Sequence, residues 1–344
     1  MRRYVFVVII ISISSNVFSQ SVEIATWRNN ATAAYSIVSD DYNLHFFGDL
    51  NYIHTTTSKR NIPISFAVVA DWDNQWNEAR DFLLGDGHEF TTHSMNHAHN
   101  EENTQEILEW QLLKSQEVIE EKIPGAECVF MCNWGNMNKE GVLDFLKVHR
   151  FIGARGFGRY GGVHTADFDP FLLNTVFYQE GLEAEIKAVV DNVIANGGYG
   201  LNSVHYIGDP TSWGYIDKTP WISHLDYIQS KRASNELWIE TVQRVIKYRM
   251  EREFYKVNIE EASNSNMVIS FDTSAEINSS PKVDNSIYNE DLTLIVTTST
   301  GLKQLIDANP FKGNITVTFD DKHITNAIQR GEIIYALSRH KIIK

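Results

Sequence analysis

Apolar positions along the chain come in short blocks whose spacing changes from one block to the next. Ala33 to Ser39 is an apolar run that stops at two acids, and Ile64 to Ala70 is a second that ends at Asp71. Runs of this length bounded by polar residues predict buried strands. Thr104 to Glu121 places Ile107, Leu108, Leu112, Val118 and Ile119 at helical spacing, and Pro124-Gly125 stops it. Glu140 to Val148 predicts a shorter helix. Leu182 to Ala195 carries Ile186, Val189, Val190, Val193 and Ile194 on one face and ends at Gly197-Gly198, the glycine C-cap pattern. A strand over 200–206 should follow, then a helix from Ser234 to Glu253 with Leu237, Val242, Val245 and Ile246 inward. Strands and helices thus alternate from about Ala31 to Phe254, which predicts an α/β fold: a mostly parallel sheet or barrel wrapped in helices.

After Tyr255 the texture changes to Ser, Asn and Thr-rich turns between β-branched runs: Met267 to Phe271, Leu292 to Thr297, Ile315 to Phe319 and Ile333 to Leu337. This predicts a small C-terminal all-β domain. At the other end, Met1-Arg2-Arg3, the apolar run Tyr4 to Ile13 and the small residues Val17 and Ser19 form a secretory signal pattern, with cleavage before Gln20. The expected divisions are a signal peptide over 1–19, a catalytic domain over 20–256 and an accessory domain over 257–344. The expected location is secreted or periplasmic, and no run is long enough to span a bilayer.

With 43% hydrophobic and 12% aromatic residues the chain has the means to build sizeable cores. A formal net charge of -14 with no Lys/Arg cluster argues against nucleic acid or an anionic membrane as partner. Cys128 and Cys132 are the only cysteines. On a strand over 126–131 their Cα atoms would stand roughly 13 Å apart, too far for a disulfide, so two buried thiols are expected.

His93 and His97 are four apart, the spacing that points two imidazoles the same way from one helical turn. A catalytic metal needs a third protein ligand and an open position, and Asp41, at the end of the first core strand, supplies it. Ser94 follows the first histidine, which excludes the zinc-protease arrangement in which Glu stands there as base. The base must come from elsewhere. Asp40 is adjacent to Asp41, and at an irregular strand end successive carboxylates can serve separately. Zinc suits such an N2O set first, with cobalt or nickel as alternatives.

In this order and spacing the chain resembles the polysaccharide deacetylase family, carbohydrate esterases of the NodB type. Asp40-Asp41 matches that family's first motif, a base followed by a ligand. Gly87-His88-Glu89-Phe90-Thr91-Thr92-His93-Ser94-Met95-Asn96-His97 matches the second closely. Gly197-Gly198-Tyr199-Gly200-Leu201-Asn202-Ser203-Val204-His205 fits the late motif, whose histidine is a general acid. The resemblance covers about Ala31 to Phe254. It implies a distorted (β/α) barrel, one divalent metal held by Asp41, His93 and His97, and an acetylated glycan as substrate. It further implies Asp40 as base, metal-bound water as nucleophile and His205 as acid.

The chain departs from the pattern in two places. Tyr42 stands where the first motif has glycine, and Met131 where the third has an arginine that orients the base. Arg155, in Gly153-Ala154-Arg155-Gly156 near the end of a later strand, is the candidate replacement, and Asp167 and Asp169 are candidate partners for His205. Trp134, Trp213, Tyr215 and Trp221 fall in or beside the expected site loops, with Trp134 and Trp213 the candidates for stacking on sugar, and an N–H near Asn133 or Trp134 the candidate oxyanion donor. Thr318-Phe319-Asp320-Asp321 mimics the first motif but reads as a hairpin turn, since too little chain follows to supply the histidines. The expected function is removal of N- or O-acetyl groups from a poly- or oligosaccharide. Two alternatives stay open, a binding protein that has lost activity and a hydrolase of a small non-sugar amide, and so does the oligomeric state.

Overall fold

The computed structural model describes residues 19–42, 50–72, 76–98, 103–134, 141–157, 161–263, 266–273, 288–299, 301–319 and 336–337. The signal peptide up to residue 18 and the Asp320-Asp321 pair lie outside the described residues. Among them, no helix is long and apolar enough to cross a membrane.

The chain opens with β1 (Ser21–Ile24), β2 (Ala33–Tyr42), α1 (Leu50–Ser58) and β3 (Ser65–Val68). Next come α2 (Trp76–Glu78) with a π-helical turn (Ala79–Leu83), and β4 (Glu89–Thr92). The helix over 105–122 is α3 (Gln105–Leu108) and α4 (Ser115–Lys122) joined by a π-helical turn (Glu109–Lys114). After it run β5 (Phe130–Cys132), α5 (Val142–Val148), β6 (Gly153–Arg155), β7 (Val163–His164), β8 (Val176–Phe177), α6 (Glu183–Asn196) and β9 (Tyr199–Val204). The barrel ends with β10 (Tyr206–Ile207), β11 (Tyr215–Ile216), α7 (Lys218–Ala233), β12 (Leu237–Ile239) and α8 (Val242–Phe254). The remaining strands are β13 (Tyr255–Ala262), β14 (Asn266–Thr273), β15 (Leu292–Thr297), β16 (Lys303–Ala308), β17 (Ile315–Thr318) and β18 (Ala336–Leu337).

The main sheet has the order β6-β5-β4-β3-β2-β9-β7, with β12 also paired to β2 and β8 to β9. All its pairings are parallel except β7 with β9. It curls into the distorted, open (β/α) barrel expected. Strand β2 is buried on both faces: Ala33, Tyr35 and Ile37 pack into one core cluster, Ala34 and Val38 into another. That two-sided burial is why its sequence reads as a continuous apolar run.

Two sequence expectations change. The helix expected from Ser234 to Glu253 is two elements, because Leu237-Trp238-Ile239 forms β12 against Ala33–Tyr35 and the helix begins only at Val242. Asn235, at φ 59°, makes the turn between α7 and β12. At the other end, Ser21–Ile24, counted above with the catalytic domain, pairs antiparallel with β15 and so completes the accessory sheet β1-β15-β16-β18. That sheet and β13-β14-β17 enclose their own core of Met267, Ile269, Leu294, Val296 and Val317.

Candidate metal centre and active site

Asp40, Asp41, His93, Arg155 and His205 lie at or just beyond the C-terminal ends of barrel strands, where parallel sheets gather their sites, and His97 follows five residues after β4. Strand register decides which of them meet. Ser39 pairs with Val204, so Asp40 and His205 are the next residues of adjacent strands, with Asp40 Oδ2 3.8 Å from His205 Nε2. Between β2 and β3 the register runs Ser39↔Phe66 and then Tyr42↔Val68, three steps against two. The extra residue is a β-bulge. Strict alternation would send Asp40 and Asp41 to opposite faces. The bulge, with Asp41 in the left-handed region at φ 59°, brings both carboxylates to the rim without the glycine that Tyr42 replaces.

The histidines converge by a route different from the one expected. His93 to His97 is an irregular loop after β4, with Ser94 at φ 80° and His97 at φ 57°, and no helical turn. Side chains replace the missing backbone ladder: His97 N donates to Ser94 Oγ at 2.8 Å, Ser94 N to Thr92 Oγ1 at 3.2 Å, and Met95 N to Gln111 Oε1 at 3.0 Å. Gln111 Nε2 also donates to Asn96 Oδ1 at 2.8 Å. No sequence spacing pointed to Gln111, which reaches this loop from the π-helical turn of the helix over 105–122.

Asp41 Oδ1 stands 3.5 Å from His93 Nε2 and 3.5 Å from His97 Nε2, and the three ligand atoms lie within 4.8 Å of one another. Donors around a tetrahedral zinc with bonds near 2.0–2.1 Å are spaced by about 3.4 Å, so the set fits a divalent ion. Asp41 Oδ1 is also buried with no hydrogen-bond partner, the state of an oxygen reserved for a cation. His93 Nδ1 donates to the Cys132 carbonyl at 3.0 Å, which fixes the tautomer that turns Nε2 toward Asp41. Burial alone would raise the Asp41 carboxyl, but the imidazoles of His93, His205 and His97 outweigh it and hold its pKa at about 2.

Arg155 reaches Asp40 across the mouth of the barrel, from a strand three removed from β2's neighbour on that side. Its Nη2 donates to Asp40 Oδ1 in an ion pair whose members are 2% and 1% exposed. The guanidinium also contacts the Cys132 thiol, which Thr91 Oγ1 holds from the other side at 3.3 Å. Asp40 therefore has the cationic neighbour that Met131 does not provide. Both cysteines are free and buried, as expected.

Burial pushes the His205 imidazole down, offset in part by Asp40 and Asp41 and reinforced by His93 and Arg155. Its ring lies between Phe177, 5.0 Å away and nearly parallel, and the edge of Trp213 at 4.7 Å. Neither carboxylate proposed as its partner is there: Asp167 pairs with Arg252 at 2.8 Å, and Asp169 Oδ1 accepts from Phe171 N. Trp213 is 69% exposed. Trp134, the other candidate for sugar stacking, is instead 1% exposed; its Nε1 donates to Ala98 O at 2.8 Å and its ring packs with Leu108, Met131 and Phe157. Trp221 is likewise core. The Asn133 N–H, considered for an oxyanion, donates to Arg155 O at 3.1 Å.

Among known proteins, the family model described as polysaccharide deacetylase matches residues 49–147. No curated protein matches. Similar solved structures include a probable polysaccharide deacetylase from Pseudomonas aeruginosa, at 13% identity and TM-score 0.48, covering 67% of this chain and 94% of that one. The Puue allantoinase is similar at 12% identity and TM-score 0.47, with 65% and 92% covered. A family 4 acetyl xylan esterase from Clostridium thermocellum, in complex with a cobalt ion, is similar at 15% and 0.42, with 62% and 89% covered. The matched stretch contains both histidines of the site, and it bears out the resemblance read from the motifs: over that stretch the chain is similar to polysaccharide deacetylases.

Proposed function

We propose that this chain is an exported, metal-dependent hydrolase that removes N- or O-linked acetyl groups from a poly- or oligosaccharide. The observation that carries the reading is the triangle of Asp41 Oδ1, His93 Nε2 and His97 Nε2 beside a separately held Asp40. Asp41, His93 and His97 would hold a divalent ion, zinc first with cobalt or nickel as alternatives, which when bound would supply carbonyl polarisation and a more acidic water. The remaining work belongs to the chain. Arg155 occupies Oδ1 of Asp40, so Oδ2 is the oxygen turned to the centre and takes the proton from the attacking water. His205, 3.8 Å from that oxygen, delivers a proton to the leaving nitrogen or oxygen. For an amide this step matters most, because an amine leaves poorly unless protonated. Trp213 offers an exposed aromatic face beside the acid.

The test pairs metal content with acetate release on a panel of N- and O-acetylated glycans, for wild type, Asp41→Asn and His93→Ala. Stoichiometric metal and acetate release in wild type, with both lost in the variants, is the expected result. Metal retained by both variants removes the site. Bound metal with no release from any glycan overturns the hydrolase reading and leaves a carbohydrate-binding protein.

A further inference from the structure

Asp40 is held by Arg155, and Arg155 is held in turn. A guanidinium on a long side chain with a single contact can still swing about it, and Arg155 Nε is buried without a hydrogen-bond partner. Two side chains meet the guanidinium: Asp40 at Oδ1 and the Cys132 thiol. Cys132 is the register partner of Arg155, and Thr92 that of Met131. Side chains alternate along a strand, so Thr91, Cys132 and Arg155 share one face of the sheet. All three are 2% exposed or less.

Donor counting fixes the direction of every bond in this row. Thr91 Oγ1 lies 3.3 Å from the Phe66 carbonyl oxygen, which can only accept, so the one hydroxyl proton of Thr91 points there. At 3.3 Å from Cys132 Sγ, the same hydroxyl oxygen is then the acceptor and the thiol the donor. Arg155 has no acceptor, so it donates to the lone pairs of the sulfur. The row therefore runs from Arg155 to Cys132 to Thr91 to the Phe66 carbonyl, each link donating to the next, across β6, β5, β4 and β3 in their order in the sheet. Asp40 on β2 closes it. A neutral thiol suits the place. A carboxylate there would compete with Asp40 for the guanidinium, whereas a sulfur acceptor orients the fork and leaves the charge to Asp40.

We propose that Thr91 and Cys132 are positioning residues: through Arg155 they fix the rotation of the Asp40 carboxylate, so that Oδ1 is occupied and Oδ2 faces the centre. This role rests on the hydrolase reading and extends the machinery beyond base, ligands and acid to two buried side chains on β4 and β5.

Acetate release from N-acetylglucosamine oligomers and acetylated xylan is measured together with metal content, for wild type, Thr91→Val, Thr91→Ser, Cys132→Ala and Cys132→Ser. Thr91→Val and Cys132→Ala should lower kcat about tenfold with KM and metal content unchanged, because substrate and metal still bind while the base is turned. Thr91→Ser and Cys132→Ser keep a group that both donates and accepts, so they should recover most of the loss. The infrared S–H stretch reads the row without metal or turnover: Cys132→Ala identifies the Cys132 band against that of Cys128, and Thr91→Val should move that band to higher frequency. A band that stays in place in Thr91→Val overturns the relay. So does a rise in KM at constant kcat, or no recovery in the two serine variants. Metal loss in Cys132→Ala overturns it too, and would make that strand end a support for His93. If wild type releases acetate from neither substrate, the hydrolase reading fails, and the infrared band then decides the relay by itself.

Discussion

At the scale of single residues, the centre is built from positions the backbone would rather not adopt. Asp41, Ser94 and His97 all have positive φ without being glycine, each at a cost of about 1–2 kcal/mol. Asp41 and His97 are candidate ligands and Ser94 Oγ holds the His97 N–H, so the strain is the means of aiming the ligands. The Asp40–Arg155 pair is the other expensive feature. Both groups are out of water, and removing one leaves an uncompensated charge, which costs about 3–5 kcal/mol. Arg155→Met should therefore lower the urea midpoint sharply, and the double variant Asp40→Asn/Arg155→Met should recover a large part of the loss. A double variant no more stable than Arg155→Met would show that the two side chains are not coupled. Arg155→Lys, which keeps the charge but loses the planar fork, should fold and lose kcat because the carboxylate is no longer oriented.

At the scale of elements, the loop over 93–97 depends on a helix it does not belong to. Gln111 projects from the π-helical turn, a local irregularity of a kind often found at functional sites, and accepts from the Met95 backbone while donating to Asn96. Gln111→Ala should weaken metal affinity by about ten- to a hundredfold and cost about 1–3 kcal/mol of stability. A chelator competition titration reads the first, and Gln105→Ala, on the solvent side of the same helix, serves as control; equal metal affinity in the two variants would remove Gln111 from the site's support. This dependence marks the boundary of what the sequence made legible. The histidine pair, the acids at the end of the first core strand and the alternation of strands and helices are local patterns that spacing places, whereas His205 is reached only through the motif resemblance. The conformation of the histidine loop is reached by neither, because a left-handed Ser94 leaves no trace in propensity. Leu237-Trp238-Ile239 was absorbed into the following helix because an apolar triplet has no period of its own. Trp134 reads equally as a stacking or a core residue in the sequence, because its N–H acceptor, the Ala98 carbonyl, lies 36 residues away.

At the scale of the molecule, the barrel and the β accessory region meet on α8, and the joint is made of buried acids and arginine. Arg244 bridges Glu240 at 2.9 Å and Glu290 at 3.0 Å, Glu251 Oε1 accepts from Glu290 N at 2.9 Å, and Tyr248 donates to Ala25 O beside β1. Glu251 Oε2 is buried without a partner. Burial pushes the Glu251 carboxyl up to about 8; the charges of Glu290 and Asp291 add to that, while the Glu290 N–H and Lys247 oppose it. Burial likewise carries Glu240 to about 7, with Glu290 and Glu89 adding and Arg244 and the Thr241 N–H opposing. The folded state then binds more protons than the unfolded chain between about pH 4.5 and pH 8, so these two groups make stability fall as pH rises through that window. Each unit of pH across which one such group stays protonated only in the folded state is worth about 1.4 kcal/mol. Urea midpoints should thus decline from pH 5 to pH 8 in wild type and decline less steeply in Glu251→Gln, which carries no proton to lose. The comparison of slopes, rather than of absolute midpoints, isolates the joint from the histidines and from any general cost of the substitution. Equal slopes in the two proteins would place the proton elsewhere and leave the α8 joint held by the Arg244 bridges alone.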